Sequence, residues 1–332
     1  MLVAVIGTSF ISEWFIKATQ LNEGVECVAI YSRSLDKGNT FAKKNGVDKV
    51  YCDLDEMLAN PNIDTIYVGS PNSLHFDYSL KAIQAGKHVI CEKPFTTTVS
   101  ELDCLIAAAK KYHVFLFEAI VTLHSPNYKM IKDNVQQLGT IRCVQCNFSQ
   151  YSSRYDQFLA GENPNVFTTK FSGGALCDLN IYNLHFVTGI FGRPDAIQYF
   201  ANKAANGIDT SGVLVLTYPT FQASCVACKD SKSQSNAQIQ GEKGYIMVKS
   251  ETSKCSDFSI HIDDACLTPA IKQQDIMLYY ELADFIKIIN ENDVQACDEL
   301  MKHSHMVMEL LVQARLSAKI EFENDHRKIS EV

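Results

Sequence analysis

Short apolar runs alternate with longer amphipathic stretches over the first hundred and twenty residues. Residues 2–6, LVAVI, stop at Gly7; residues 10–21 follow with a helix-like pattern; the apolar run VECVAIY covers 25–31. Asp53 and Glu56 form a D-x-x-E start signal for a short helix. DTIYVG at 64–69 reads as a strand, 74–86 as a helix and KHVIC at 87–91 as a strand. A helix follows over 100–112 from Ser100 as N-cap, then the strand HVFLF at 113–117. Strands alternating with helices predict a parallel sheet covered on both faces, with ligands bound beyond the carboxyl ends of the strands.

Beyond residue 138 the pattern changes. Strand-like runs occupy 140–151, 196–204, 211–218, 221–228, 236–240, 244–249 and 258–263. Short turns such as Tyr218-Pro219-Thr220 and Gly241-Glu242-Lys243-Gly244 join several of them, which predicts antiparallel pairing. Helices over about 276–290 and 297–318 close the chain. The expected fold class is α/β: a parallel-sheet domain over 1–119, then an α/β domain over 120–332 with a large, mostly antiparallel open sheet.

Composition narrows the function classes. The chain has 332 residues, 46% hydrophobic and 20% charged, the balance of a globular protein long enough for two domains. A net charge of −8 argues against nucleic acid or an anionic membrane as partner. No run approaches the ~20 apolar residues of a membrane span. The start, MLVAVIGTSF, lacks a basic segment and its apolar run ends at Gly7, unlike a signal peptide. Of the twelve cysteines, Cys27, Cys91, Cys104, Cys143, Cys177 and Cys225 lie in apolar runs, where reduced cysteine acts as a small hydrophobe. A reducing cytoplasm is the expected location. Cys143/Cys146 and Cys225/Cys228 have C-x-x-C spacing, which zinc or redox sites use. Both pairs lie in strand-like runs, where positions i and i+3 face opposite ways and each pair is split across the sheet.

The turn after the first strand reads Gly7-Thr8-Ser9-Phe10-Ile11-Ser12. It keeps only the first glycine of G-x-G-x-x-G; serines replace the other two and are small enough for a pyrophosphate to approach the backbone. The helix behind it offers N–H groups and a partial positive charge to phosphate. Alone, the same turn also fits a bland strand-turn-helix. The second strand ends in Tyr31-Ser32-Arg33-Ser34, without the carboxylate that commonly holds the ribose hydroxyls of NAD. Arg33 can fork onto a 2′-phosphate, with Ser32 and Ser34 as hydrogen-bond donors, so NADP(H) is preferred over NAD(H), which stays possible.

Further residues carry a resemblance. Glu92-Lys93-Pro94 follows the strand at 87–91; Ser70-Pro71-Asn72 and His75 stand upstream and Glu118 downstream. Gly173-Gly174-Ala175-Leu176-Cys177-Asp178, Tyr182 and Phe191-Gly192 continue the match, and His303-Ser304 through Met308-Glu309 complete it. In order and over nearly the whole chain, these resemble the Gfo/Idh/MocA oxidoreductases. The resemblance implies an N-terminal Rossmann domain, nicotinamide cofactor and a C-terminal domain whose open sheet carries a homodimer or larger homo-oligomer.

It also implies chemistry. Lys93 lies just beyond a parallel strand, where a cofactor binds; partial burial would bring its pKa from ~10.4 towards ~7–8, and as ammonium it polarises a carbonyl. Many relatives carry Asp-x-x-x-His where this chain has Asp178-Leu179-Asn180-Ile181-Tyr182. Tyrosine in that place resembles the dihydrodiol dehydrogenase and glucose–fructose oxidoreductase branch, where it donates the proton and the lysine lowers its pKa. Positions i and i+4 share a helix face, so Asp178 and Tyr182 are expected to face the nicotinamide together. His185, at i+3 from Tyr182, either lines the substrate site or is a core histidine. Glu92 is assigned to the nicotinamide ribose region, Asn72 and His75 to ribose and phosphates, with helix capping the other reading of His75. Glu118 is expected after the last strand, near the cofactor, with helix N-capping or an interdomain contact as the other readings; Tyr151 and Arg154 are candidate substrate contacts. No metal site is expected.

The reading is therefore an NADP(H)-dependent dehydrogenase or reductase acting on a sugar, inositol or dihydrodiol. The alternatives are a catalytically silent nucleotide-binding sensor and a glycosidase that oxidises only transiently.

Overall fold

Four of the five residues in Leu2–Ile6 (β1) are buried, as a strand covered on both faces requires. The computed structural model describes residues 1–329. After β1 come α1 (Phe10–Leu21), β2 (Glu26–Tyr31), α2 (Leu35–Asn45), β3 (Lys49–Tyr51), α3 (Leu54–Leu58), β4 (Thr65–Val68), α4 (His75–Gln84), β5 (His88–Glu92), α5 (Val99–Tyr112) and β6 (Leu116–Ala119). The six strands pair in parallel in the order β3-β2-β1-β4-β5-β6. The order reverses between β1 and β4, the switch point at which such sheets bind dinucleotides.

Three local details differ from the sequence expectation. The alternation missed α2 and the three-residue edge strand β3, because 35–51 carries few apolar residues to set a period. Helix α5 starts two residues earlier than Ser100 would give: Thr98 is the N-cap, and Glu101 closes a capping box with it. Glu118 lies inside β6 and pairs across from Cys91, rather than following the strand.

The second sheet begins after α6 (Val121–His124) and α7 (Pro126–Asn134) with β7 (Ile141–Ser149). Then follow α8 (Tyr155–Leu159), α9 (Ile181–Phe191), β8 (Ala196–Lys203), β9 (Asp209–Thr217), β10 (Gln222–Cys228), β11 (Asn236–Gly241), β12 (Gly244–Val248), β13 (Phe258–Ile262) and β14 (Ala265–Leu267). Their order is β14-β13-β12-β11-β7-β10-β9-β8, antiparallel except for the β7/β10 pair. The large, mostly antiparallel sheet is thus as expected. Burial alternates along it: Ala223, Cys225 and Ala227 are fully buried, while Ser224, Val226 and Cys228 between them are partly exposed. The same alternation splits both C-x-x-C pairs: Cys146 and Cys225 are buried, Cys143 and Cys228 partly exposed, and all four are free thiols.

The chain ends in α10 (Leu278–Glu291) and α11 (Val294–Ser317). It forms two compact units: Met1–Ala119 with Asp275–His305 and the described residues from His326 on, and Ile120–Gln274 with Met306–Asp325. The sequence reading gave all of 120–332 to one domain, whereas 275–305 packs with the N-terminal unit. The apolar face of α10 explains it: Phe285 stacks on Phe117 of β6 with centroids 4.5 Å apart, and Asn22 donates to the Tyr279 carbonyl at 3.2 Å. Among the described residues no helix is long and apolar enough to cross a membrane.

Candidate active site

In the first unit, parallel strands bring Gly7, Arg33, Ser70–Asn72 and Lys93 to one edge, because each follows the carboxyl end of its strand. Gly7 has φ +119, and a Cβ there would meet the Gly69 carbonyl at 2.6 Å. Only glycine serves at this crossing of β1 and β4. Thr8, Ser9 and Phe10 behind it are exposed and Ile11 partly so. Ser9 caps α1 by accepting from the Ser12 N–H at 3.5 Å, and its hydroxyl lies 3.5 Å from the Gly69 carbonyl as donor. An open turn with no Cβ at its first position and a twelve-residue helix behind it fits a dinucleotide pyrophosphate.

At the end of β2, Arg33 is exposed and no carboxylate accompanies it. The serines beside it act differently from the expectation. Ser32 is buried and donates to the Ser34 carbonyl at 2.9 Å, while the Ser34 hydroxyl caps α2 by accepting from the Lys37 N–H at 3.5 Å. Both hydroxyls shape the turn that presents Arg33.

His75 is fully buried behind two loops. Its Nδ1 lies 2.9 Å from the Pro94 carbonyl and its Nε2 2.9 Å from the Ser70 carbonyl. Burial pushes its pKa down, against the pull of these carbonyls. His75 thus joins the Ser70–Asn72 loop to the loop carrying Lys93 instead of lining either. Ser70, Pro71, Asn72 and Lys93 remain partly exposed.

Glu92 is almost buried and accepts from the Tyr67 hydroxyl at 2.5 Å. Burial raises its pKa to about 7, while the Tyr67 hydrogen bond and the Lys93 charge pull the other way. Glu118 of β6 and Glu281 of α10 are buried nearby in the same unit, and both charges act on the neighbours: Glu92 and Glu118, after desolvation, push the Glu281 carboxyl well above the usual range. The sequence reading missed Tyr67 and Glu281. The signals were a tyrosine inside an all-buried strand, whose hydroxyl needs a partner, and a glutamate on the buried face of α10 beside Leu278 and Leu282.

In the second unit, the GGAL-x-D segment is built around Asp209, which is 1% exposed and accepts from the Leu176 N–H at 2.7 Å and the Tyr199 hydroxyl at 2.8 Å. Gly174 has φ +99, and a Cβ there would run into the Asp209 carboxylate. The chain then makes one π-helical turn, Leu176–Asn180, before α9. Such turns often mark functional sites. Asn180 donates to the Cys225 carbonyl at 3.0 Å and Asn183 to the Val226 carbonyl at 3.1 Å, fastening this helix to β10.

From Ser172 to Thr188 only Asp178 and Tyr182 are not buried. The Tyr182 ring packs against Phe148 of β7, centroids 5.7 Å apart. Asp178 accepts from the Lys229 ammonium at 2.5 Å. His185 is fully buried, so it stands behind this surface, as a core histidine does. Tyr151 is 40% exposed and donates to Asp156 at 2.6 Å; Arg154 is exposed at the start of α8. Lys229 was missed: nothing local distinguishes a lysine at a strand end.

The geometry has counterparts in known proteins. Residues 1–120 match the description "Oxidoreductase family, NAD-binding Rossmann fold", and residues 129–247 match "GFO/IDH/MocA C-terminal domain". The chain is 32% identical to the scyllo-inositol 2-dehydrogenase (NADP(+)) IolU of Bacillus subtilis (strain 168), over 97% of this chain and 98% of that protein. It is 31% identical to the trans-1,2-dihydrobenzene-1,2-diol dehydrogenase of Xenopus tropicalis, over 68% of each. Among solved structures, the 3-ketoreductase KijD10 of Actinomadura kijaniata with NADP shares the fold at TM-score 0.80 and 21% identity, covering 96% of this chain and 97% of that one. A levoglucosan dehydrogenase with NADH and levoglucosan does so at TM-score 0.81 and 16% identity, over 96% and 97%. With the Rossmann strand order, the EKP lysine and the GGAL-x-D turn on both the sequence and the structure, the chain belongs to the GFO/IDH/MocA family and is an NAD(P)-dependent oxidoreductase.

Proposed function

We propose that this enzyme moves hydride between NADP(H) and a secondary hydroxyl, or the matching carbonyl, of a small neutral polyol: an inositol, a sugar or a trans-dihydrodiol. One observation carries the reading. In the buried run 172–188, the two residues that reach solvent are a carboxylate and a phenol four positions apart. A carboxylate accepts hydrogen bonds from hydroxyls, and a phenol exchanges a proton with one.

Bound nicotinamide supplies or accepts the hydride. Tyr182 takes the hydroxyl proton in oxidation and returns it in reduction. Lys93, as ammonium, polarises the carbonyl. Asp178 accepts from a neighbouring hydroxyl and fixes which carbon reacts. Gly7, Thr8, Ser9, Phe10 and Ile11 form the pyrophosphate turn; Ser70, Pro71 and Asn72 serve ribose and phosphates; Glu92 and Glu118 act behind Lys93. Tyr151 and Arg154 are further substrate contacts.

Preference for NADP(H) is supported by the exposed Arg33 and the missing strand-end carboxylate. The Bacillus relative carries NADP(+) in its name, and the ketoreductase was solved with NADP. A polyol is supported by the names of the inositol and dihydrodiol relatives. The partly exposed face of the eight-stranded sheet supports a homodimer or larger homo-oligomer, and twelve free cysteines fit a reducing cytoplasm.

The test is a fluorescence titration with NADPH and NADH, then a turnover screen of inositols, sugars, dihydrodiols and dicarbonyls at the reduced-nicotinamide absorbance. NADPH binds tighter, and at least one polyol is turned over. Tyr182→Phe and Lys93→Met each lower kcat by about 10²–10⁴-fold. Tight cofactor binding without turnover of any compound would favour a sensor instead. Unchanged turnover in both variants would remove the assigned catalytic pair.

A further inference from the structure

Lys229 follows the last residue of β10, and its backbone stays in the hydrogen-bonded network. Its N–H donates to the Thr210 carbonyl at 2.8 Å, and its carbonyl accepts from the Ser152 N–H at 2.9 Å. The side chain is 2% exposed. A buried ammonium is costly unless it is paired and hydrogen-bonded. Here it donates to Asp178 Oδ2 at 2.5 Å and to the Val166 carbonyl at 3.3 Å, and it lies 4.8 Å above the ring centroid of Phe167. Phe167 is itself fully buried and stacks on Phe158 with centroids 5.0 Å apart. The second carboxylate whose charge reaches Lys229, Asp209, is held by the Leu176 N–H and the Tyr199 hydroxyl.

One ammonium therefore joins three chain segments: the end of β10, the π-helical turn bearing Asp178, and the turn at 164–168. Asp178 is the outward member of the pair, with its side chain 35% exposed. Stability alone is a poor reason for such an arrangement, since apolar replacements of buried ion pairs are often neutral or better.

We propose that Lys229 is a positioning residue for the reaction: it holds the Asp178 carboxylate in one orientation towards a substrate hydroxyl, and it pins the 164–168 turn beside it. The inference rests on the reading of Asp178 as the substrate's hydrogen-bond acceptor. It extends that site to a residue 51 positions away in sequence.

The test compares the full-length enzyme with Lys229→Met, Lys229→Arg, Asp178→Asn and the Asp178→Asn/Lys229→Met double variant. Each is assayed with saturating NADP+ and the best polyol of the panel. Lys229→Met raises KM about tenfold or more, with a smaller change in kcat and NADPH affinity within about twofold of the parent. Lys229→Arg, which keeps a donor and a charge, recovers most of the loss. The double variant is no worse than Asp178→Asn, because both changes remove one unit. A Lys229→Met enzyme with lowered Tm and unchanged KM overturns the proposal, as does a double variant in which the two losses multiply. If the parent binds NADPH but turns over no polyol, the functional reading fails on its own. Limited proteolysis of the 152–172 segment then decides about Lys229: faster cleavage in Lys229→Met, restored in Lys229→Arg, supports the pin, and equal cleavage overturns it.

Discussion

Behind Lys93 stands a group of side chains whose protons depend on one another. Tyr67 on β4, Cys91 and Glu92 on β5, Glu118 on β6, and Glu281 and Asp284 on α10 act on each other's charge, with the Lys93 ammonium beside Glu92. Burial raises Glu92 from 4.5 to about 7 and Glu281 well above its usual value. A carboxyl with a raised folded-state pKa keeps its proton after the unfolded chain has lost it. Its contribution to stability is fully present below about pH 4.5 and is lost as pH rises through the folded value. For Glu92 alone the shift corresponds to on the order of 3 kcal/mol. Glu281→Gln keeps the shape and cannot ionise. In urea unfolding it is expected to match the parent near pH 5 and to exceed it increasingly towards pH 8.5. A stability difference independent of pH would show that Glu281 is not held protonated. Such residues are hard to read in a sequence: Lys93, Asp178 and Tyr182 stand in contiguous motifs, whereas Tyr67, Glu281 and Lys229 gain their meaning from partners far along the chain.

The turn that opens the Asp178 helix shows how an element can depend on a single missing atom. Gly174 holds φ +99, and its absent Cβ leaves room for the Asp209 carboxylate, which in turn accepts the Leu176 N–H at the start of the helix. Gly174→Ala is expected to destabilise the protein by about 1–3 kcal/mol through backbone strain and displacement of Asp209. The denaturant midpoint measures this, and NADPH affinity is expected to stay near the parental value because the turn lies in the other unit. An unchanged midpoint would mean that the turn relaxes freely. At this scale the sequence was legible where a period is strong. The strands of both sheets lie within a few residues of their expected limits, β3 and β14 excepted, each only three residues long. Two residues per repeat is a local signal, and a three-residue edge strand is too short to show it.

The whole molecule raises the question of what covers the second face of the eight-stranded sheet. Val213 on β9 and Val226 on β10 are paired neighbours on that face, both only partly exposed in the single chain. A homodimer through this face would bury about 800 Å² per partner. Light scattering after size exclusion is expected to report a dimer or larger for the parent and a monomer for Val213→Arg/Val226→Arg, with NADPH binding retained. A monomeric parent would exclude this interface.

At the same scale the two kinds of information separate. The sequence alone determined the longer strands of both sheets, the parallel-then-antiparallel plan, the family and the residue types of the chemistry. Each of these is carried by local periodicity or by a contiguous motif such as EKP or GGAL-x-D. Only the tertiary structure decided that 275–305 packs with the N-terminal unit, that His75 joins two loops from behind, and that Asp178 is held by Lys229. Each of those depends on which apolar face or buried charge finds which partner, and chain neighbours leave no trace of that choice.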